Sequence, residues 1–401
     1  MKTVLVLSLI FIYLIATAAF LVSSPSTSKS AETPFYVGVT FCGNTVSEAK
    51  LLVDRVKTYT NVFVLQSGPV SKNETATTEI CDYAVAAGLN IIVYFGWFDP
   101  HYPWQVPWLD FAKQRWGNRL LGIYYYDEPG GIQLDYNWSH LFEMMKLVNA
   151  SYYQTHAPAL DAYINRSAIS RDYDAAAEIY LNSVRTDPNL TAVKSRSLTA
   201  FTSDYLLYWF DYKGGFDVIL AQFGWNSTLV QEIGLVRGAA RMQNKQWGAI
   251  ITWKYTQPPY LDSGEEIYNQ MVMAYQAGAQ YVIIFNYAKI QGNAYGSMTE
   301  EHFQALEGFW NNVVTAPRLR TIPDTSKAEA VLVLPKNYGW GMRQPDDRIW
   351  YWGPDEKSSQ IWDVSRKLLS QYGLKLDIVY DDPAFPAADK YPQVYYWNQS
   401  I

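Results

Sequence analysis

The chain has 401 residues, of which 49% are hydrophobic, 16% are aromatic and only 17% are charged. Since an average soluble domain carries roughly 25% charged residues, this composition excludes a disordered chain and a solvated coiled coil. The net charge of −6 argues against nucleic acid as the main partner, and four His with two Cys leave little from which to build a metal or iron–sulfur site, so no cofactor is expected.

The first predicted element is an uncharged apolar stretch from Thr3 to Val22, which follows Met1-Lys2. About 20 apolar residues can span a bilayer as a helix, whereas the apolar core of a secretory signal usually has roughly 7–15 residues. The length favours an uncleaved signal anchor with the rest of the chain outside the cytoplasm. A cleaved signal peptide, ending near Ala16-Thr17-Ala18, is the alternative, and a buried core helix is a third interpretation. Residues 1–30 are thus predicted to be a signal anchor or signal peptide with a linker.

Seven Asn-X-Ser/Thr triplets support export, because this triplet is the acceptor of N-glycosylation in secreted proteins. Their asparagines are Asn73, Asn137, Asn149, Asn165, Asn189, Asn226 and Asn398. Cys42 and Cys81 could form a disulfide in that compartment, although two unpaired buried thiols are an equal alternative. We therefore predict an extracytoplasmic glycoprotein that is either membrane-anchored or secreted.

The central part of the chain alternates short apolar runs with helical patterns. The predicted strands are Phe35–Phe41, Asn61–Gln66, Asn90–Phe95, Leu120–Tyr126, Ser197–Thr202, Phe216–Phe223, Gly248–Tyr255 and Tyr281–Tyr287. Most of these runs are apolar without alternation, which is typical of parallel strands covered on both faces. Helices are predicted between them, at Val46–Lys57, Thr78–Ala87, Leu229–Asn244 and Glu265–Ala277. The pattern predicts an α/β fold, a (β/α)8 TIM barrel over residues 31–320.

Two segments depart from the barrel pattern. Residues from about 133 to 196 are mainly helical and are predicted to form an insertion over the barrel mouth. After Lys327, a helix at Ser358–Tyr372 and strands at Ala330–Pro335, Lys375–Tyr380 and Val394–Trp397 predict a partial flavodoxin-like α/β domain over residues 327–401. Such a sheet normally has about five strands, so either the domain is unusually small or the sequence is incomplete at its C-terminus.

The carboxyl ends of the strands provide the candidate functional residues, because the loops at that face build the active sites of such barrels. The candidates for substrate binding are Trp97, Asp99, Gln222, Trp225, Trp253, Lys254, Tyr255, Asn286 and Tyr287. Flat rings stack on the apolar faces of sugars, while amides and acids bind the hydroxyl groups, so this mixture favours a carbohydrate ligand. For each tryptophan, packing in the core or at the rim is the alternative.

The segment Tyr125-Tyr126-Asp127-Glu128-Pro129, at the end of the fourth predicted strand, resembles the large clan of (β/α)8 glycoside hydrolases. Those enzymes carry their acid/base Glu in an Asn-Glu-Pro or similar segment at this place. The resemblance implies that Glu128 is the general acid and that Asp127 stands where the clan often has Asn. A barrel followed by a flavodoxin-like domain is also similar to the beta-galactosidase-type arrangement.

The chain departs from that clan at the seventh strand. Retaining members place a nucleophilic Glu there, whereas this sequence has Lys254 and no carboxylate before Asp262. Because hydrolysis ordinarily needs two carboxyl groups, we expect Asp204 to be the catalytic partner of Glu128, with Asp127 as the second choice. Asp204 could instead cap the helix that follows it, and Lys254 could be a buried partner of Glu128.

The sequence is compatible with two functions. The first is an exported glycoside hydrolase that acts on carbohydrate, with Glu128 as its proton donor. The second is a non-catalytic glycan-binding or adhesive cell-surface protein that keeps the barrel as a scaffold, because a fold alone does not guarantee chemistry.

Overall fold

The computed structural model describes residues 34–136, 138–167, 170–225, 227–316 and 325–399. The predicted signal anchor and two of the glycosylation triplets, those of Asn137 and Asn226, lie outside these ranges. Within them, no helix combines the length and the apolar composition that crossing a membrane requires. The predicted anchor therefore stays a prediction.

Eight parallel strands close into a barrel, and each strand pairs with its neighbours in the chain. They are β1 (Tyr36–Phe41), β2 (Val62–Leu65), β3 (Asn90–Phe95), β4 (Leu120–Tyr125), β5 (Ala200–Asp204), β6 (Val218–Phe223), β7 (Gln246–Ile251) and β8 (Tyr281–Ile284). Pairing of β1 with β8 closes the barrel. All eight strands coincide with the predicted apolar runs to within a few residues, so the predicted (β/α)8 barrel is confirmed.

Alternate residues of each strand fill the barrel interior, because successive side chains point to opposite faces of a sheet. The interior cluster includes Val64, Tyr124, Phe201, Leu220, Ile250 and Ile283. The other face of each strand packs against the surrounding helices in a larger, separate core. This alternation decides which residues at the strand ends point into the barrel mouth.

Helices surround the barrel and connect its strands. They are α1 (Val46–Val56), α2 (Glu74–Ala86), α3 (Gln105–Trp116), α4 (Pro129–Asp135), α5 (Trp138–Val148), α6 (Ala150–Ser167), α7 (Tyr173–Arg185), α8 (Pro188–Ser195), α9 (Tyr208–Gly214), α10 (Leu229–Met242), α11 (Gly264–Gln276), α12 (Glu300–Phe309) and α13 (Glu356–Tyr372). Five of them, α4 to α8, lie between β4 and β5, the segment for which a helical insertion is predicted.

The C-terminal part contains a small parallel sheet with the order β10-β9-β11. Its strands are β9 (Ala330–Leu334), β10 (Leu376–Tyr380) and β11 (Gln393–Tyr396), and α13 connects the first two. These elements match the predicted ones, but a flavodoxin-like domain is not confirmed. The described residues provide three strands of the roughly five that such a domain has, and they belong to the same compact unit as the barrel.

The small sheet is attached to the barrel through α10. A Cβ atom at Gly238 would lie 2.8 Å from the carbonyl oxygen of Ile378, so the glycine allows the helix to approach β10 closely. Next to it, the buried guanidinium of Arg237 donates to Oδ1 of Asp377 at 2.7 Å and to the backbone carbonyls of Leu374 and Leu376, just before and at the start of β10. Close packing and a buried ion pair therefore hold these three strands against the barrel.

The two cysteines and several of the triplet asparagines lie among the described residues. Cys42 and Cys81 are both free thiols, so of the two alternatives weighed from the sequence, a disulfide and two unpaired thiols, the structure has the second. Asn149 is only 4% exposed, and its amide donates to the Thr186 hydroxyl at 2.9 Å, so this triplet is closed to a glycan. Other triplets are open, because their asparagines are exposed: Asn73, Asn165 and Asn398.

Candidate active site at the carboxyl ends of the strands

The chain leaves β4 through two residues in the left-handed region of backbone conformation. Tyr126 has φ 57° and Glu128 has φ 55°. Such angles are uncommon for residues other than glycine, and they concentrate at functional sites. In a regular strand, neighbouring side chains would point to opposite faces. Here the turn brings both Asp127 and Glu128 to the wall of one cavity in the barrel mouth.

This cavity opens to solvent, and the space between its walls and at its mouth amounts to about 230 Å³. Its lining residues lie in the last positions of the strands or just after them. They comprise two carboxylates, two amides, two hydroxyls and two apolar side chains: Asp127, Glu128, Gln66, Gln222, Ser203, Thr252, Ile250 and Phe285. Concave sites with a few convergent polar groups are where small ligands bind. The cavity is therefore the candidate site.

Glu128 is held from two sides. Its backbone N–H donates to the carbonyl of Ser203 at 2.9 Å, and its Oε1 accepts a hydrogen bond from Nε2 of Gln222 at 2.7 Å. Burial raises the pKa of Glu128 to about 7, and the charge of Asp127 adds to this rise, while the bond from Gln222 opposes it. An acid with a pKa near neutrality can both hold and release a proton at physiological pH, as a general acid must.

Asp127 lies beside Glu128 in a network of hydroxyl groups. Its Oδ1 accepts hydrogen bonds from the hydroxyls of Tyr124 and of Ser203, the latter at 2.7 Å. Gln222 donates to Ser203 Oγ at 3.1 Å as well as to Glu128, so the two carboxylates are joined through two side chains. Burial raises the pKa of Asp127, and the two hydroxyl bonds oppose the rise. The site thus contains a coupled pair of acids.

Asp204, the first predicted catalytic partner of Glu128, lies outside the cavity. It is completely buried and accepts four backbone N–H bonds, from Gly130 (2.6 Å), Gly131 (2.9 Å), Tyr205 (2.7 Å) and Leu206 (3.1 Å). Burial raises its pKa to about 8. Because it ends β5 on the face that points away from the interior, its carboxylate holds the start of α4 and does not line the cavity.

Aromatic rings extend from the cavity to the surface. Phe285 lines the cavity, and Tyr287 stacks on it with ring centroids 5.6 Å apart and an angle of 5°. The ring of Trp253 lies 5.3 Å from Tyr287 and 6.1 Å from Trp225. Trp225 is 44% and Tyr287 50% exposed. We call Trp225, Trp253 and Tyr287 the aromatic shelf, and Tyr255, 45% exposed, follows β7 near it in sequence.

Four other predicted binding residues do not line the cavity: Trp97, Asp99, Lys254 and Asn286. Trp97 packs partly buried against the core. Asp99 binds the backbone and ring of His101, at 2.9 and 2.7 Å. Lys254 lies 3.4 Å from Asp262, so the predicted alternative of a pair with Glu128 is not formed. The amide of buried Asn286 donates to a carbonyl in the loop after β8.

The prediction missed three polar residues of the cavity, Gln66, Ser203 and Thr252. The signal that could have found them is the alternation of each strand. Ser203 is two residues after the interior residue Phe201, and Thr252 is two residues after Ile250. Gln66 Oε1 is buried without a partner among the described residues, so it can accept a hydrogen bond from a ligand.

Comparison with known proteins gives no family. No family model and no curated protein matches the chain. Solved structures that resemble it include orotidine 5′-monophosphate decarboxylase from Methanocaldococcus jannaschii, with 10% identity over 70% of this chain and 98% of that chain and a TM-score of 0.36. A beta-glucosidase has 13% identity over 68% and 90%, with a TM-score of 0.37. An endo-beta-1,4-glucanase from Xanthomonas axonopodis pv. citri has 10% identity over 70% and 99%, with a TM-score of 0.36.

Proposed function

We propose that this protein hydrolyses glycosidic bonds and that Glu128 donates the proton to the departing oxygen. The observation that carries the proposal is the position of Glu128: its carboxyl group lies in the cavity at the carboxyl end of the barrel, beside a second carboxylate, with its pKa raised to about 7. Active sites of such barrels are built at this face.

The chemistry requires an acid because an alkoxide leaves poorly without a proton. A carboxylic acid that stays protonated near neutral pH, next to a second carboxyl group in a different environment, can divide the two roles between neighbouring groups. Asp127, fixed by Tyr124 and Ser203, would place negative charge beside the oxocarbenium-like transition state. Water is the other reactant, and the proposal needs no cofactor.

The remaining residues of the site suit a sugar. Gln66 and Gln222 offer amides to hydroxyl groups in the cavity, and the aromatic shelf offers flat apolar faces next to it. We propose that one sugar ring occupies the cavity and that further rings of a glycan extend across Trp225 and Tyr287.

The test compares aryl glycosides whose leaving groups differ in basicity. Glu128→Gln should lower the rate on poor leaving groups by roughly 10²–10⁴-fold, the usual contribution of a general acid. The same variant should retain most of its rate on dinitrophenyl glycosides, because their dinitrophenolate leaving group departs without needing a proton. Glu265→Gln, the same chemical change on the exposed face of α11, is the matched control and should leave all rates unchanged. An equal loss on all substrates would contradict the role of Glu128 as proton donor.

The pH dependence provides a second measurement. Because Glu128 must be protonated to donate, kcat/KM should fall as the pH rises through about 7, where the carboxyl ionises. The fall should disappear in Glu128→Gln on activated substrates. A profile that stays flat from about pH 5 to 9 would refute the assignment.

A non-catalytic glycan-binding or adhesive protein is the second candidate function. It is favoured by the engagement of Asp204 in backbone hydrogen bonds and by the exposure of the aromatic shelf. A folded protein that binds glycans through Trp225 but hydrolyses none of the panel would support this candidate over the hydrolase. Glycan affinity should then be equal in the wild type and in Glu128→Gln.

We also propose that the chain is exported and glycosylated, as an anchored or a secreted protein. The apolar stretch Thr3–Val22 and the exposure of Asn73, Asn165 and Asn398 support this. Expression through a eukaryotic secretory pathway should give a chain whose mass falls on enzymatic removal of N-glycans. Asn149→Gln should leave that mass shift unchanged, because Asn149 is buried. An unglycosylated chain that stays in the cytoplasm would refute the proposal.

A further inference from the structure

Both carboxylates of the cavity come from one side, the end of β4. The opposite wall is formed by Ile250 near the end of β7, by Thr252 just after it and by Phe285 after β8, and no third carboxylate lines the cavity among the described residues. Asp262, the first acid after β7, lies 3.4 Å from Lys254 instead. Hydrolysis with two opposed carboxylates needs an acid on each face of the sugar, so this site lacks the usual nucleophile or base.

We propose, on the basis of the glycoside hydrolase function above, that the missing nucleophile belongs to the substrate. The site then takes 2-acetamido-2-deoxy glycosides, and Asp127 orients the acetamido group for attack by its carbonyl oxygen on the anomeric carbon. Participation of a substrate group is an established exception to the use of two enzyme carboxylates.

The position of Asp127 fits this task. Its Oδ1 is fixed by Tyr124 and Ser203, and no described residue donates to its Oδ2, which can therefore accept the N–H of an acetamido group. A carboxylate held rigidly by two hydroxyls can orient a donor without loss of side-chain entropy on binding. Glu128 lies next to it in the same turn, so the proton donor and the acetamido group would meet at one anomeric centre.

The reaction balances in two steps. In the first, the carbonyl oxygen bonds to the anomeric carbon and the bond to the leaving oxygen breaks; that oxygen keeps the electron pair and receives the proton of Glu128. The product is a five-membered oxazolinium ring, whose N–H is paired with charged Asp127. In the second step, water attacks the anomeric carbon and the bond from that carbon to the carbonyl oxygen breaks; its electron pair restores the acetamido group, and Glu128 takes a proton of the water. One water is consumed and no other reactant is needed.

The geometry of this attack limits the substrate further. The carbonyl oxygen must approach from the face opposite the leaving group, so only a 1,2-trans glycoside can react. For sugars of the gluco and galacto series this is the β anomer, and two displacements at one carbon leave the product in the β configuration. The inference therefore predicts hydrolysis with retention and no activity on the α anomer.

The test uses the full chain and four aryl glycosides: the 2-acetamido-2-deoxy-β-glucoside, its α anomer, the β-glucoside and the N-trifluoroacetyl analogue of the first. The 2-acetamido-2-deoxy-β-glucoside should react at least roughly 10²-fold faster than each of the others. The β-glucoside lacks the nucleophile, the α anomer holds it on the wrong face, and the trifluoroacetyl group weakens it. Equal rates on the acetamido sugar and the β-glucoside would overturn the inference and leave the hydrolase function intact. Inactivity on every glycoside would overturn both.

Asp127→Asn tests the orienting residue. Its kcat on the acetamido substrate should fall by roughly 10²–10³-fold, as when one preorganised electrostatic partner is removed, with little change in KM. The variant should also lose affinity for a thiazoline mimic of the oxazolinium ring, whereas Glu265→Gln should bind it like the wild type. Unchanged affinity in a folded Asp127→Asn would overturn the inference. If that variant does not fold, the wild type is measured on substrates with an increasing number of fluorines on the acetyl group. Rates that stay constant along this series would overturn the inference.

Discussion

Replacing Glu128 by Gln should make the protein more stable at neutral and alkaline pH. The Gln side chain has the same shape and can accept the hydrogen bond from Gln222 that Oε1 of Glu128 accepts at 2.7 Å. It removes, however, the cost of ionising a carboxyl group in a partly buried cavity next to Asp127. An increase in stability on removal of a functional group is typical of active sites, where strain and desolvation are retained for function.

The size of the effect follows from the pKa. Burial raises the pKa of Glu128 from its ordinary value of 4.5 to about 7, and each pKa unit corresponds to about 1.4 kcal/mol. Ionisation of Glu128 therefore costs the folded state up to about 3 kcal/mol. Since the folded state binds the proton more tightly than the unfolded state, wild-type stability falls as the pH rises from about 4.5 to about 7. Below that window, both states are protonated and the variant should gain nothing.

The measurement is the free energy of unfolding of wild type and Glu128→Gln, taken from urea titrations at several pH values across the window. The difference should be near zero at about pH 4 and grow to about 3 kcal/mol at about pH 8. Glu265→Gln should show no such dependence, because its side chain is exposed. A Glu128→Gln protein that is equally stable or less stable at about pH 8 would refute the desolvation of Glu128.

Three further predictions concern other parts of the molecule. Asp204→Asn should lower the free energy of unfolding by roughly 1–3 kcal/mol, since its amide nitrogen would face the N–H of Gly130 and leave a buried donor unpaired, and an unchanged urea midpoint would contradict this. Arg237→Met should lower the free energy of unfolding by roughly 3–5 kcal/mol in the same assay, because Asp377 would keep a buried charge without its main partner. Trp225→Ala should weaken glycan binding about tenfold in calorimetry with little change in the urea midpoint, because Trp225 is 44% exposed and lies at the rim of the site.

Residue patterns predict the barrel well because each strand is a short apolar run between helical segments. The prediction of the site was less complete because it took every polar residue near a strand end as a candidate. Alternation separates these candidates: Ser203 points into the mouth, whereas its neighbour Asp204 points towards the helices. Because Phe201 lies in the barrel interior, a period of two along β5 predicts that Ser203, and not Asp204, points into the barrel mouth.

The C-terminal strands show a different limit. Their apolar runs can be recognised in the sequence. Their packing against the barrel, however, depends on Gly234 and Gly238 of α10, and in the sequence these glycines indicate only a low helix propensity. A Cβ atom at Gly234 would lie 2.9 Å from the carbonyl oxygen of Leu376. Only the packed structure shows that these glycines allow the sheet to contact the barrel helix.

The sequence alone determined the eight-stranded barrel and brought Asp127 and Glu128 to the end of its fourth strand, because hydrophobic periodicity is a local property of the chain. Only the tertiary structure decided that these two acids share one cavity and that Asp204 does not. That outcome depends on left-handed backbone angles at Tyr126 and Glu128, which neither residue type signals. It depends equally on hydrogen bonds between segments more than seventy residues apart, from Gly130 to Asp204 and from Glu128 to Ser203 and Gln222, which form only when the barrel closes.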